Sequence, residues 1–249
     1  MEKRPVILNF SGVYEQVRFW EEGEEIFLDL KGISGTNGYC DSAAGQELSE
    51  MFRKLGPSGI HFLDSGNYHY ATKLWTDLIG EPFDLLVFDH HTDMQLPAFG
   101  GILSCGGWLR LALEENAMLK QVCLVGPPRE AAVQDGLEEW GERLVFVPED
   151  EMEAFSWEGF FAGRTLPLYL SVDKDVLRKE DAAVNWDQGK ADLAQVLKVL
   201  KTACAARPVV GADLCGEDPG GMEEVRALQK AKLLNEKLLR SLERWIFST

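Results

Sequence analysis

The chain has 249 residues, 45% hydrophobic and 27% charged, a balance that fits a globular protein with core enough for one large domain. Its net charge of −16 leaves no basic surplus to neutralise phosphates, which argues against a nucleic-acid or anionic-membrane partner. No apolar run approaches the roughly 20 residues of a membrane helix.

Short apolar or β-branched runs recur along the whole chain. They fall at residues 6–10, 25–28, 60–63, 85–88, 121–125, 144–147, 168–172 and 209–212. Several are nearly continuous rather than alternating, as expected for strands covered on both faces. Helical spacing lies between them. Leu48, Met51, Phe52 and Leu55 share one face, with Gly56 placed to stop the helix. Leu193, Val196, Leu197 and Leu200 repeat that spacing, and Leu228, Ala231, Leu234, Leu238, Leu242 and Trp245 line a long C-terminal helix. The most acidic stretch, residues 148–153, reads as a solvated connection. This rhythm, without repeats or low-complexity linkers, predicts one α/β domain over residues 1–249. Its core is a three-layer arrangement around a mostly parallel sheet of about eight strands.

The opening MEKRPVILNF has no apolar segment ahead of a small-residue cleavage site. The cysteines Cys40, Cys105, Cys123, Cys204 and Cys215 are scattered singly, as reduced thiols are. A cytoplasmic location is the expectation from both features.

Ligands of open α/β sheets bind beyond the carboxyl ends of the strands, so the residues that follow each run carry the functional information. Asp64-Ser65-Gly66-Asn67-Tyr68-His69 follows the third run and Asp89-His90-His91-Thr92-Asp93 the fourth. Asp173-Lys174-Asp175 and Asp213-Leu214-Cys215-Gly216-Glu217 follow the last two. Taken singly, Asp64 and Asp213 read as helix N-caps. In an extended backbone Asp89, His91 and Asp93 point one way and His90 the other, which makes His90 a core histidine or a support for a ligand. Ionised carboxylates crowd in a poorly solvated cleft only when cations neutralise them, so the two aspartate motifs predict divalent metal. With oxygen donors dominant, two imidazoles and no thiolate in the predicted set, a hard ion such as manganese or magnesium is expected.

At these residues the sequence resembles the arginase/agmatinase (ureohydrolase) superfamily. Asp89-His90-His91-Thr92-Asp93 matches its D-A-H-x-D motif with His90 in place of alanine, and Ser171-Val172-Asp173-Lys174-Asp175 matches S-x-D-x-D. Gly66-Asn67-Tyr68-His69 is a loose counterpart of its G-G-D-H motif. The resemblance implies two manganese ions, with Asp89 and Asp173 bridging, His69 and Asp93 completing one and His91 and Asp175 the other. Two such ions share a water, lower its pKa and present hydroxide to a guanidinium-type carbon. The aspartate at the Asp93 position then helps pass a proton to the departing amine. The resemblance also implies a small-molecule substrate and a homo-oligomeric assembly.

The chain departs from the family pattern at three places. Cys105 stands where a histidine preceding glycine is usual, which makes it either a catalytic thiol or a small residue starting a helix. Arg178-Lys179 replaces the D-P pair after Asp175, and Glu217 is one residue out of register with the glutamate that contacts the guanidinium. Gln95, Asn185 and Trp186 are candidate substrate contacts, the last two in a polar-aromatic loop with Asp187 and Gln188. Besides a manganese C–N hydrolase, two alternatives remain open at this level. One is a metal-retaining protein without turnover; the other is a zinc deacetylase-like amidohydrolase.

Overall fold

The computed structural model describes residues 4–97, 101–221 and 224–247. Residues 1–3, the start of the N-terminal stretch considered above, lie outside them. The first third comprises β1 (Val6–Asn9), α1 (Val13–Gln16), β2 (Ile26–Asp29), β3 (Tyr39–Cys40), α2 (Ser42–Leu55) and β4 (Gly59–Phe62). The middle comprises α3 (Ala71–Thr76), β5 (Phe83–Phe88), β6 (Leu103–Ser104), α4 (Trp108–Glu115), β7 (Leu119–Val125) and α5 (Arg129–Gln134). The last part holds β8 (Leu144–Val147), α6 (Trp157–Ala162), β9 (Leu168–Asp173), α7 (Leu193–Ala206), β10 (Val209–Cys215) and α8 (Val225–Ile246).

Eight strands form one sheet in the order β2-β1-β4-β10-β9-β5-β7-β8, every neighbouring pair parallel. Each of the eight predicted runs is one of these strands. The continuous runs have the expected cause: β5 sends Phe83, Leu85 and Val87 to one core and Leu86 and Phe88 to the other. Leu48 and Phe52 of α2, Trp75 of α3 and Trp108 of α4 pack on the first face. Val13 of α1, Phe161 of α6, Val196 of α7 and Leu238 of α8 pack on the second. The result is a three-layer α/β/α fold, as expected from the sequence.

Local chemistry fixes the helix ends. Asp41 caps α2 by accepting from Ala44 N at 2.9 Å, and Gly56 ends it with φ 77°, a conformation that spares only glycine. Asp192 and Gln195 form a reciprocal capping box on α7. The acidic connection at 148–153 exposes Asp150, Glu151 and Glu153 but buries Met152 in the core. β3 and β6, which pair antiparallel as a separate ribbon, were not anticipated, because two-residue strands carry no periodicity.

Because the sheet is parallel, the carboxyl ends of all eight strands share one edge. β4, β10, β9 and β5 are consecutive neighbours at its centre. The four polar segments singled out in the sequence leave these four strands side by side.

Candidate metal centre

Asp64 and Asp213 do not cap helices, contrary to the expectation for each alone. Asp64, at φ 77°, accepts from Phe10 N, Ser11 N, Ser11 Oγ and Ser65 N and pins the turn after β1. Asp213 lies within β10, where its Oδ1 accepts from Tyr169 OH at 2.7 Å and sits 2.8 Å from His61 Nδ1. Asp64 and the Oδ1 of Asp213 are matched by the protein's own donors.

The other group is not matched in that way. His69 follows a 3₁₀ turn at Gly66–Tyr68, and its Nδ1 lies 3.1 Å from Asp89 Oδ2, 3.0 Å from Asp93 Oδ2 and 3.8 Å from Asp173 Oδ2. His91 Nδ1 lies 2.8 Å from Asp175 Oδ2 and 3.5 Å from Asp89 Oδ1. The four carboxylates are almost fully buried. Ligand atoms of His69, Asp89 and Asp93 fall within 4.8 Å of one another, as do those of Asp89, His91 and Asp175. Asp89 is common to both sets. It is held by β5 directly beside β9, whose last residue is Asp173.

The fit to cations rests on His69. Its Nε2 is 2.8 Å from Ser171 Oγ, so the outer nitrogen is engaged and the inner one is aimed at the carboxylates. That buried Nδ1 meets no partner at hydrogen-bonding geometry. Burial and mutual repulsion push Asp173 and Asp175 above the usual carboxylate range, and Asp93 up to about 7. Burial also opposes the charge on Asp89, but His69 and His91 hold it below that range. Burial likewise opposes charge on His91, yet Asp175 and Asp89 raise it to about 11. Carboxylates strained toward neutrality around imidazoles forced to keep protons are what divalent cations relieve.

The cluster opens into a cavity of about 320 Å³. Asp89, His91, Asp93, Asp173 and Asp175 form its acidic part, with Gln95 and Cys105 beside them. Trp186 closes one side, its ring edge-on to His91 at 5.6 Å and its Nε1 donating to Asn67 Oδ1 at 2.8 Å. Asn67 in turn donates to Asn37 Oδ1, which continues the polar rim. Gly38 and Tyr39 complete that wall, and Gly38 O accepts from Cys105 N. The Asn-Gly turn at Asn37-Gly38 was the sequence signal for this loop, but nothing local ties it to a strand end thirty residues away.

Several expected residues are placed elsewhere. Glu217 does not reach the cavity: it is fully buried, paired with Lys174 Nζ and accepting from Asn235 Nδ2 at 2.6 Å. Gly216 stands one residue earlier at φ 93°, where any Cβ would lie 2.5 Å from Asp173 Oδ1, so no side chain fits there. Asn185 is exposed and does not line the cavity. Arg178 points to Asp181 at the surface and Lys179 is exposed, so neither alters the cavity. His90 also stays out of the lining, while its backbone N donates to Asp175 Oδ1 at 2.9 Å. Burial, with Asp93 nearby, pushes the Cys105 thiol up to about 11, which leaves it a neutral wall residue rather than a thiolate.

One donor was missed. Cys215 ends β10 in register with Asp173, and its Sγ donates to Asp173 Oδ2 at 3.1 Å. A thiol therefore lies among the candidate donors, a residue type that the predicted set of oxygen and imidazole did not contain.

No family model matches the sequence. An uncharacterized protein of Thermotoga maritima is 31% identical over 239 residues, covering 95% of this chain and 88% of its own length. Among solved structures, proclavaminate amidino hydrolase from Streptomyces clavuligerus superposes with a TM-score of 0.67 at 15% identity, covering 98% of this chain and 92% of its own. Formimidoylglutamase from Bacillus subtilis gives 0.70 at 14% identity, with 97% and 86% covered. Agmatine ureohydrolase of Thermoplasma volcanium gives 0.70 at 14%, with 99% and 90% covered. The chain therefore shares the fold of these hydrolases, and it belongs to one family with the Thermotoga protein. Among the described residues no helix is long and apolar enough to cross a membrane.

Proposed function

We propose that the protein is a hydrolase of a C–N bond in a small guanidino, ureido or amide compound, dependent on two divalent cations held on either side of Asp89. The observation that supports it most is the buried cluster of Asp89, Asp93, Asp173 and Asp175 with His69 and His91, set at the base of a cavity whose lining has no lysine or arginine among the described residues. Such a cavity favours a neutral or cationic group such as a planar guanidinium, and about 320 Å³ suits a small molecule.

His69, Asp89 and Asp93 would hold one cation and Asp89, His91 and Asp175 the other, with Asp173 beside His69. Their chemistry when bound is to activate a water for attack on the carbon and to neutralise the carboxylates. The chain's own residues do the rest. Ser171 orients His69 through Nε2, and Trp108 holds Asp93 by donating Nε1–H to Oδ2. Asp93 lines the cavity and is the carboxyl placed to carry a proton to the leaving nitrogen. Gln95 and the Trp186–Asn67–Asn37 rim grip the polar end of the substrate. Cys105 supplies no shuttle, so proton transfer falls to Asp93.

Metal analysis of protein loaded with manganese, followed by assays on a panel of guanidino, ureido and amide compounds, tests the proposal. Two ions per chain with release of urea, ammonia or an amine from a panel member supports it. Trace metal after loading overturns it. Full loading without turnover on any member points instead to a metal-retaining binding protein, the alternative that Cys105 in the histidine position favours.

A further inference from the structure

The candidate donor sets differ in chemical character: His69 with Asp89 and Asp93 is oxygen and nitrogen only, but His69 also belongs to a set that contains a sulfur. Asp89, His91 and Asp175 offer only oxygen and nitrogen. On the other side, His69, Asp173 and Cys215 bring one nitrogen, one oxygen and one sulfur within 4.8 Å of one another. We propose that the cation held by His69 also takes the Cys215 sulfur, so that this position selects a thiophilic ion such as zinc while the His91–Asp175 position keeps a harder ion such as manganese. The inference rests on the metal-centre reading above and narrows it.

The register of the sheet delivers the sulfur. Cys215 of β10 is the paired neighbour of Asp173 of β9, and paired positions present their side chains to the same face. The Sγ–Oδ2 separation is 3.1 Å and the Oδ2–Nδ1 separation is 3.8 Å. Tetrahedral zinc with bonds of about 2.0–2.3 Å sets its donors roughly 3.3–3.6 Å apart. The observed values straddle that range, so small side-chain adjustments suffice.

Two further observations separate this thiol from an ordinary buried cysteine. His69 Nδ1 is a buried nitrogen on a residue only 1% exposed, with no hydrogen-bonding partner, and it points into the same cluster. Cys215 faces a carboxylate, whereas Cys123, equally buried, packs among apolar side chains of the other core. Gly216 adds a constraint: any side chain there would collide with Asp173 Oδ1, so the strand end can bring its backbone close enough to seat Cys215 beside the carboxylate. On binding, the thiol proton leaves to solvent and a metal–thiolate bond forms, with no change of oxidation state.

Cobalt(II) substitution reads the bond directly, because a thiolate ligand adds a charge-transfer band in the near ultraviolet that oxygen and imidazole ligands do not. The full chain, stripped with chelator and reloaded with cobalt, is expected to show this band. Cys215→Ser should abolish it, and Cys105→Ser, which removes the other thiol near the cavity, should keep it. X-ray absorption at the zinc edge of the zinc-loaded unmodified protein should show a sulfur neighbour, which decides the matter even if Cys215→Ser does not fold. Two cobalt ions per chain without the band, or a band lost with Cys105→Ser instead, overturns this inference and leaves the metal centre standing. No stoichiometric cobalt overturns both.

Discussion

Two groups of buried acids lie within a few residues of one another at the carboxyl edge of the sheet, and they are compensated in opposite ways. Glu217 is closed off by Lys174 and Asn235, Asp213 by His61 and Tyr169, and Asp64 by backbone amides and Ser11. Asp89, Asp93, Asp173 and Asp175 face one another across two imidazoles and open into the cavity. The first group draws its partners from inside the fold; under the proposed function the second takes its partner from an incoming cation. Burying a charge is tolerable only with a partner, so the source of the partner distinguishes structural acids from functional ones.

The contrast is broken most severely from the structural side. Lys174→Met strands Glu217 without a cation, and an uncompensated buried charge of this kind costs about 3–5 kcal/mol. Denaturant unfolding should record that loss in metal-free and metal-loaded protein alike; a loss confined to the loaded form would place Lys174 in the metal centre. The functional side should behave in reverse. Asp173→Asn relieves repulsion, so the metal-free variant should unfold no more easily than the original. Cation at a hundredfold excess over Kd stabilises the original by about 2.7 kcal/mol, and melting curves with and without metal should show that gain shrinking in the variant.

Finer effects follow from the supports. Ser171→Ala frees His69 Nε2 and should weaken metal binding by about 10–100-fold, the usual range for a residue that orients a ligand. Titration calorimetry against the original protein reads this, and unchanged affinity would remove Ser171 from the site. The sign of the pH dependence is fixed by the His91 imidazole. Burial opposes charge on His91, but Asp175 and Asp89 hold it up to about 11 before metal enters, so at neutrality it carries a proton that a cation must displace. Affinity should therefore rise with pH by about tenfold per unit for each proton displaced. Calorimetry in buffers of different ionisation heat should register proton release; none would contradict the ligand assignment. The smallest effect belongs to the rim: Trp186→Ala should raise KM with kcat largely kept and change stability by no more than about 0.5 kcal/mol.

The strands were legible because each is a short apolar run covered on both faces, and α2, α7 and α8 because their apolar spacing and end signals agree. The motif carboxylates were legible through the alternation of D-x-H-x-D and S-x-D-x-D. Cys215 was not, since it meets Asp173 only through the register of β10 against β9, and a sequence does not state register between strands forty residues apart. Glu217 misled for a related reason: Asp173 fills the space at Gly216, and the glutamate turns instead toward Lys174 and α8. The rim built from Asn37, Gly38 and Tyr39 depends on a loop crossing to the far side of the cavity.

The most direct test is an anomalous difference map from crystals of the full chain grown with manganese and zinc. The account predicts two peaks at the carboxyl edge of the sheet, one flanked by His69 and the other by His91, with the Asp89 carboxylate between them. Density showing the Asp89, Asp93, Asp173 and Asp175 side chains without any heavy scatterer among them would contradict it.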